Sequence, residues 1–293
     1  MIAKRCRRGY SLHWERSQNG NVAQPQEKRM LRKTSGVLTA VVALAAAAAV
    51  SPIGGYAAVP AAPQVPASCP SGAFCDGFEN QTGPVPAGDW SVVFPNCQGT
   101  GTATVDSSTA YSGSKSVRID GRAGYCNHVF LRTTKGMTAS GLYARLYVRH
   151  TTALPEAHVT FAAMKDTADS GKDLRMGGQN RALQWNRESD DATLPEQSPA
   201  GVAQSVPLPV NQWTCVEFGV NGGELQTWVN GADVPGLHVD ATPTPDIDAQ
   251  WLRRSGWRPA PADLRLGWES YGSGDDTLWF DDVAVATSRI GCA

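Results

Sequence analysis

The chain lacks an apolar run long enough to cross a bilayer. Spanning takes about 20 residues, and the stretch Val37–Val50 falls short of that. Lys28, Arg29, Arg32 and Lys33 precede it, and Pro52, Gly54 and Gly55 stop any helical continuation. These are the length and flanks of a signal-peptide core rather than a membrane anchor. Gly55, Tyr56, Ala57 and Ala58 supply a cleavage region, so residues 1–57 read as a leader, with Met30 as an alternative start. Stable membrane insertion is not expected. Outside the leader no segment of ten or more residues carries a convincing 3.6 period, which argues against a helical fold. No internal repeat is present. Cations are scarce too. Residues 1–57 hold nine Lys/Arg and two Asp/Glu, leaving 17 basic and 25 acidic residues beyond them, a net of about −8. That balance argues against a nucleic-acid partner, which demands clustered cations. A local basic cleft can still oppose the global sign.

What the chain does have is cysteine in an even number after the leader. Cys6 lies in the leader; Cys69, Cys75, Cys97, Cys126, Cys215 and Cys292 follow it. No histidine sits at zinc spacing beside the close pair Cys69 and Cys75, so disulfides formed in an oxidising, extracellular compartment are the better reading. Spacing alone does not choose among the pairings. Neighbourhood suggests Cys69–Cys75, and Cys215–Cys292 would tie the last residues to a middle strand. Residues 58–68, rich in Pro and Ala, read as an extended linker. Residues 69–293 contain no second linker and read as one domain.

That domain is a series of short strand patterns punctuated by Gly, Pro, Asn and Asp. The spacing predicts strands at Ser116–Asp120, His128–Thr133, Tyr143–His150, His158–Met164, Trp213–Val220, Leu225–Val229, Leu264–Tyr271 and Thr277–Ala286. Asn221-Gly222-Gly223 and Asn230-Gly231 mark hairpin turns. The fold class is all-β, a disulfide-stapled sandwich. The first strand, near Phe78, and the last, near Phe280, are expected to pair.

Strand alternation sorts the candidate site residues. Tyr143, Arg145, Tyr147 and Arg149 share one face, an aromatic–guanidinium stripe suited to sugar rings and carboxylates. Arg175 and Gln179 share another, with Gly177 between them leaving room for a ligand. Arg265, Glu269 and Tyr271 lie opposite Leu264, Leu266 and Trp268. His158 and Thr160 lie opposite Val159 and Phe161. Most of the tryptophans read as core, whereas Trp185 reads as a cleft residue. The run from Asn186 to Pro195 is charged and reads as a solvated loop. Asp76, Glu79, Asp281 and Asp282 would meet if the end strands pair, and with carbonyls from Tyr111–Ser114 they form a candidate Ca²⁺ site.

The motifs DGFEN (76–80), AYSGSKSV (110–117), GYCNHVFLRT (124–133), LRMGGQ (174–179), QWNRESDDATLP (184–195), GWESY (267–271) and WFDDVAVATSRIGC (279–292) stand here in one order. Over residues 74–292 the chain resembles the core domain of the cellulose-induced secreted proteins. The resemblance implies a β-jelly-roll similar to glucuronan lyases, of the concanavalin-like kind. It implies a structural Ca²⁺ held by Glu79, the Ser112 carbonyl and Asp281, and disulfides Cys97–Cys126 and Cys215–Cys292, leaving Cys69–Cys75 as a pair. It maps cleft positions onto His158, Arg175, Gln179, Asp191 and Tyr271. A cleft histidine of the family is Asp173 here, and a cleft tyrosine is Trp185.

The function expected on this basis is cleavage of uronate-containing polysaccharide by β-elimination, performed by a secreted monomer. Arg175 and Gln179 would neutralise the sugar carboxylate, and Tyr271 or His158 would act as base or acid. Asp173, Trp185, Asp191, Glu269, Arg145 and Tyr147 would bind substrate. Arg175 beside Tyr271 is expected to lower the phenol's pKa. Two alternatives are a non-catalytic plant-cell-wall polysaccharide-binding protein and a glycoside hydrolase. The latter needs two carboxylates about 5–5.5 Å or roughly 6.5–9.5 Å apart, for which Glu188, Asp191 and Glu269 are available.

Overall fold

Two hydrophobic faces, each set by alternation along antiparallel strands, meet to form the core. A computed structural model describes residues 68–292 apart from 139, 140 and 273. The leader and all of the linker but residue 68 lie outside the described residues. In chain order the strands are β1 (Phe74–Asp76), β2 (Ser91–Val93), β3 (Thr102–Asp106), β4 (Ser116–Gly121), β5 (Val129–Thr133), β6 (Leu142–His150), β7 (Val159–Asp166), β8 (Lys172–Gln179), β9 (Ala182–Arg187), β10 (Ala192–Leu194), β11 (Thr214–Asn221), β12 (Glu224–Val229), β13 (Ala232–Asp233), β14 (Leu264–Ser270) and β15 (Asp276–Ala286). All eight predicted strands are present, shifted by at most two residues at any end.

One sheet has the order β13-β12-β11-β6-β15-β4-β3, with β1 added beside β15. The other has the order β10-β9-β8-β7-β14-β5-β2. We call them the back sheet and the groove sheet. Between them lie Ala144, Leu146 and Val148 of β6, with Phe218 of β11 and Phe280 of β15. These pack against Leu131, Phe161, Met176, Trp185 and Trp268 of the groove sheet. Trp185 joins the layers directly, its Nε1 donating to Thr227 Oγ1 of β12 at 2.9 Å. The domain is a β-sandwich of the jelly-roll kind.

Turn chemistry follows the sequence. Val229 pairs with Ala232 across Asn230-Gly231, both at positive φ (50° and 80°), as a two-residue hairpin requires. Asn221 pairs with Glu224 across Gly222-Gly223. β1 pairs with β15, Phe74 opposite Val285. Disulfides join Cys69–Cys75, Cys97–Cys126 and Cys215–Cys292. In the chain-entropy account the two longer loops, with separations of 29 and 77 residues, each stabilise by about 4 kcal/mol. The stretch from Asn186 to Pro195 is a correction to the sequence reading. It is the β9–β10 hairpin rather than a solvated loop, and Asn186 and Arg187 are buried.

Candidate functional site

The outer face of the groove sheet carries most of the polar residues singled out above. Register places Asn186, Arg175, Ala163, Arg265 and Arg132 in one row across β9, β8, β7, β14 and β5. The next row holds Gln184, Gly177, Thr160 and Glu269. His158, Gln179 and Tyr271 lie at the strand ends just beyond, next to the paired positions Val159–Gly178 and Ser270–Val159. A groove of about 840 Å³ runs over this face, lined among others by Tyr125, Tyr271, Glu269, Arg175, Arg265 and Lys165.

Its floor is a chain of ion pairs. Arg175 donates from Nη1 to Glu269 Oε1 at 3.0 Å and from Nε to Asn186 Oδ1 at 3.0 Å. Asn186 in turn donates to Asp191 Oδ1 at 2.8 Å. Arg265 grips Asp173 with both terminal nitrogens and reaches Asp263 Oδ1 at 3.2 Å. Arg132 donates to Asp263 Oδ2 at 2.8 Å. Glu188 accepts from Lys172 Nζ at 2.9 Å and from the Asp173 amide at 2.8 Å. Planar guanidinium–carboxylate pairing of this kind fixes orientation as well as charge.

Protonation follows from burial. Desolvation, assisted by the Arg175 charge, lowers both His128 and His158 to about 4, so both imidazoles are neutral at neutral pH. Burial raises Glu269 against the opposing pull of Arg175. Tyr271 corrects the sequence expectation: burial and then the Glu269 charge raise its pKa, outweighing Arg175, so the phenol keeps its proton. Tyr271 is nonetheless half exposed at 49%, and its ring packs edge-on against His128 at 4.9 Å. Tyr125, 57% exposed, lies 6.0 Å from Tyr271 at the groove mouth.

Three further placements differ from the sequence reading. Arg145 and Tyr147 lie on the outer face of the back sheet, buried, with Tyr147 stacked on Tyr111 at 3.7 Å and Arg145 donating to the Gly291 carbonyl. Alternation gives a strand's faces, but not the sheet to which it belongs. Trp185 points into the core, because β9 pairs it with Met176 rather than with Arg175. Gly177 leaves no space for a ligand: a Cβ there would sit 1.8 Å from the Val159 carbonyl oxygen, where the β7 register shifts between Thr160 and Ala162. Two contributors escape the sequence reading. His128 is fully buried, with Nδ1 3.1 Å from Asn96 Nδ2 and 3.7 Å from Glu269 Oε2. Its alternation with Phe130 and Arg132 is a usable signal. Tyr125 sits in the turn stapled by Cys97–Cys126, which no strand pattern marks.

Residues 77–288 match the family model described as the Cip1-like core domain, of the polysaccharide-lyase-like group. The chain belongs to the Cip1-like family. A solved structure of the cellulose-induced protein Cip1 is similar at 41% identity and TM-score 0.71, covering 75% of this chain and 100% of that one. The endo-β-1,4-glucuronan lyase from the fungus Trichoderma reesei is similar at 14% identity and TM-score 0.43, covering 68% and 90%. No curated protein matches the chain.

This Cip1-like domain has a second acidic region where β1 meets β15. Glu79 accepts from the Ser114 and Lys115 amides at 2.7 and 2.8 Å. Asp281 accepts from the Tyr111, Ser112 and Asp282 amides. Burial, and then the neighbouring Asp282, push Asp281 up to about 7 despite those amides. A small cavity beside it is lined by Glu79, Ser112, Arg145 and Asp282. Among the described residues no group of three or more His, Cys, Asp or Glu is arranged to hold a metal.

Proposed function

We propose that this Cip1-like protein is a secreted, monomeric lyase that cleaves uronate-containing polysaccharide by β-elimination. The observation that carries the reading is that Arg175 and protonated Tyr271 line one groove, with neutral His158 just before β7 and near enough to feel the Arg175 charge. Arg175 spends three of its donors on Glu269 and Asn186. A guanidinium has five, so two remain for a sugar carboxylate, and Gln179 adds an amide. Holding that carboxylate acidifies the neighbouring C5 proton. His158, unprotonated at neutral pH, takes that proton. Tyr271 gives its own to O4 as the C4–O4 bond breaks and the C4–C5 double bond forms. Asp173 is committed to Arg265 and Asp191 to Asn186, so both act by positioning the floor.

The three disulfides fit an oxidising, extracellular compartment. A structural Ca²⁺ at Glu79, the Ser112 carbonyl and Asp281 fits the hard-oxygen donor set, with the negative charge of two carboxylates at the small cavity that Glu79 and Ser112 line. When bound, the ion would neutralise that charge at the β1–β15 junction.

The test is digestion of glucuronan with Ca²⁺ present, followed by the ultraviolet absorbance of unsaturated ends. Wild type should generate absorbance, and Tyr271→Phe should not. Absence of signal from every uronate polymer tried would remove the lyase reading. One observation favours a non-catalytic binding protein instead: nearly every groove cation already has a carboxylate partner. That reading predicts polymer retention in affinity electrophoresis with no cleavage.

A further inference from the structure

Five cations line the groove: Arg132, Lys165, Lys172, Arg175 and Arg265. Four are held by groove carboxylates, as Arg132–Asp263, Lys172–Glu188, Arg175–Glu269 and Arg265–Asp173. Lys165 is the exception. Its Nζ has no ion pair or hydrogen bond among the described residues, and its side chain is exposed. Its backbone, by contrast, is fixed at both polar atoms. The amide donates to Asp263 Oδ1 at 2.9 Å, and the carbonyl accepts from the Ala262 amide at 2.9 Å. Asp173 stands opposite Lys165 in the β7–β8 register, but Arg265 already holds both its oxygens. The stem lies across the turn at Gly171, where an added Cβ would come within 2.9 Å of Lys165 Cε.

We infer that Lys165 is a second carboxylate subsite, which makes the preferred ligand a polymer of consecutive uronates rather than one with isolated acidic sugars. The inference rests on the reading that an acidic polysaccharide occupies the groove. Along β7, Lys165 is two residues from Ala163, the neighbour of Arg175, so it lies about 7 Å further along the strand direction. Tyr271 lies at the opposite end of the same face. The groove therefore has an aromatic end, a central guanidinium and a free ammonium end. A chain bound at Arg175 through one carboxylate presents its next acidic unit toward Lys165. An ammonium on a flexible stem suits this role, since it accepts a range of carboxylate positions.

The experiment is affinity electrophoresis of the full chain in gels containing either glucuronan, whose uronates are consecutive, or a polymer whose uronates are separated by neutral sugars. Lys165→Ala should weaken retention by glucuronan about fivefold, the size of a solvent-exposed ion pair, and leave retention by the spaced polymer unchanged. Lys165→Arg should retain wild-type behaviour, and thermal melting of both variants should match wild type. Unchanged retention of Lys165→Ala by glucuronan, or an equal loss on both polymers, overturns the subsite while leaving the groove reading intact. Failure of wild type to be retained by either polymer overturns the groove reading and the subsite with it.

Discussion

The outer faces of the two sheets use the same kinds of residue to opposite ends. On the back sheet, Arg118 and Arg149 lie over the Trp279 ring at 5.7 and 5.0 Å, and Arg289 covers Trp228 at 4.2 Å. Trp228 and Trp279 are buried there, and the indole of Trp279 donates to Asp106. Cation and ring satisfy one another, and the face is closed. On the groove sheet the arginines are held by carboxylates, which leaves Tyr125 and Tyr271 uncovered. Arg118 and Arg289 of the back sheet have carboxylate partners as well, Asp120 and Glu217. What separates a structural aromatic face from a candidate binding face is thus whether a guanidinium also covers the ring, as over Trp228 and Trp279 but, among the described residues, not over Tyr125 or Tyr271.

Substitutions sharpen this contrast. Arg175→Ala should cut any eliminative activity by about 100-fold or more, the scale of a lost electrostatic contact to the reacting group. Arg145→Ala should lower the melting temperature and leave activity alone; equal losses of activity from both variants would break the distinction. Next in size is stability. Asp173→Asn leaves Arg265 buried without its bidentate partner and should cost about 3 kcal/mol in denaturant unfolding. Asp120→Asn removes the more exposed Arg118 pair of the back sheet and should cost under about 1 kcal/mol. Ca²⁺ at a hundredfold excess over its Kd should stabilise by about 3 kcal/mol, reversed by chelation. Asp281→Asn should abolish that shift and Arg175→Ala should not.

A smaller effect is pH-dependent. His128 titrates at about 4 in the fold and near 6.5 when unfolded. The unfolded chain therefore binds the proton first as pH falls. This contribution to stability is complete above about pH 6.5 and is lost progressively down to about pH 4. With Ca²⁺ present, His128→Asn should lose less stability than wild type across that window; parallel melting curves would contradict the assignment. The smallest expected effect is that of Tyr125→Ala, about threefold weaker polymer retention, the scale of one aromatic contact.

Much of the fold is legible in the sequence. Period-two alternation locates eight strands, and Asn-Gly pairs locate the turns between β11, β12 and β13. The site is legible only within strands. Arg175, Gln179, Glu269 and Tyr271 can be assigned to faces, but the pairing of strands decides which faces join. That is why Arg145 and Tyr147, on an equally patterned strand, group by sequence with a groove they do not line. Trp185 misleads because Gln184 and Asn186 beside it are polar, whereas alternation itself sends the indole to the opposite side. The register shift on β7 leaves no mark in spacing, so the room expected at Gly177 is filled by backbone.

That filled position has a consequence for how such a scaffold can diversify. Under Gly177 the groove is paved by the main chain of its neighbouring strand, so any larger residue there must first undo the irregularity in β7. Laboratory evolution toward new polymers should therefore leave residue 177 untouched and accumulate changes along the banks, at Asn96, Tyr125 and Lys165.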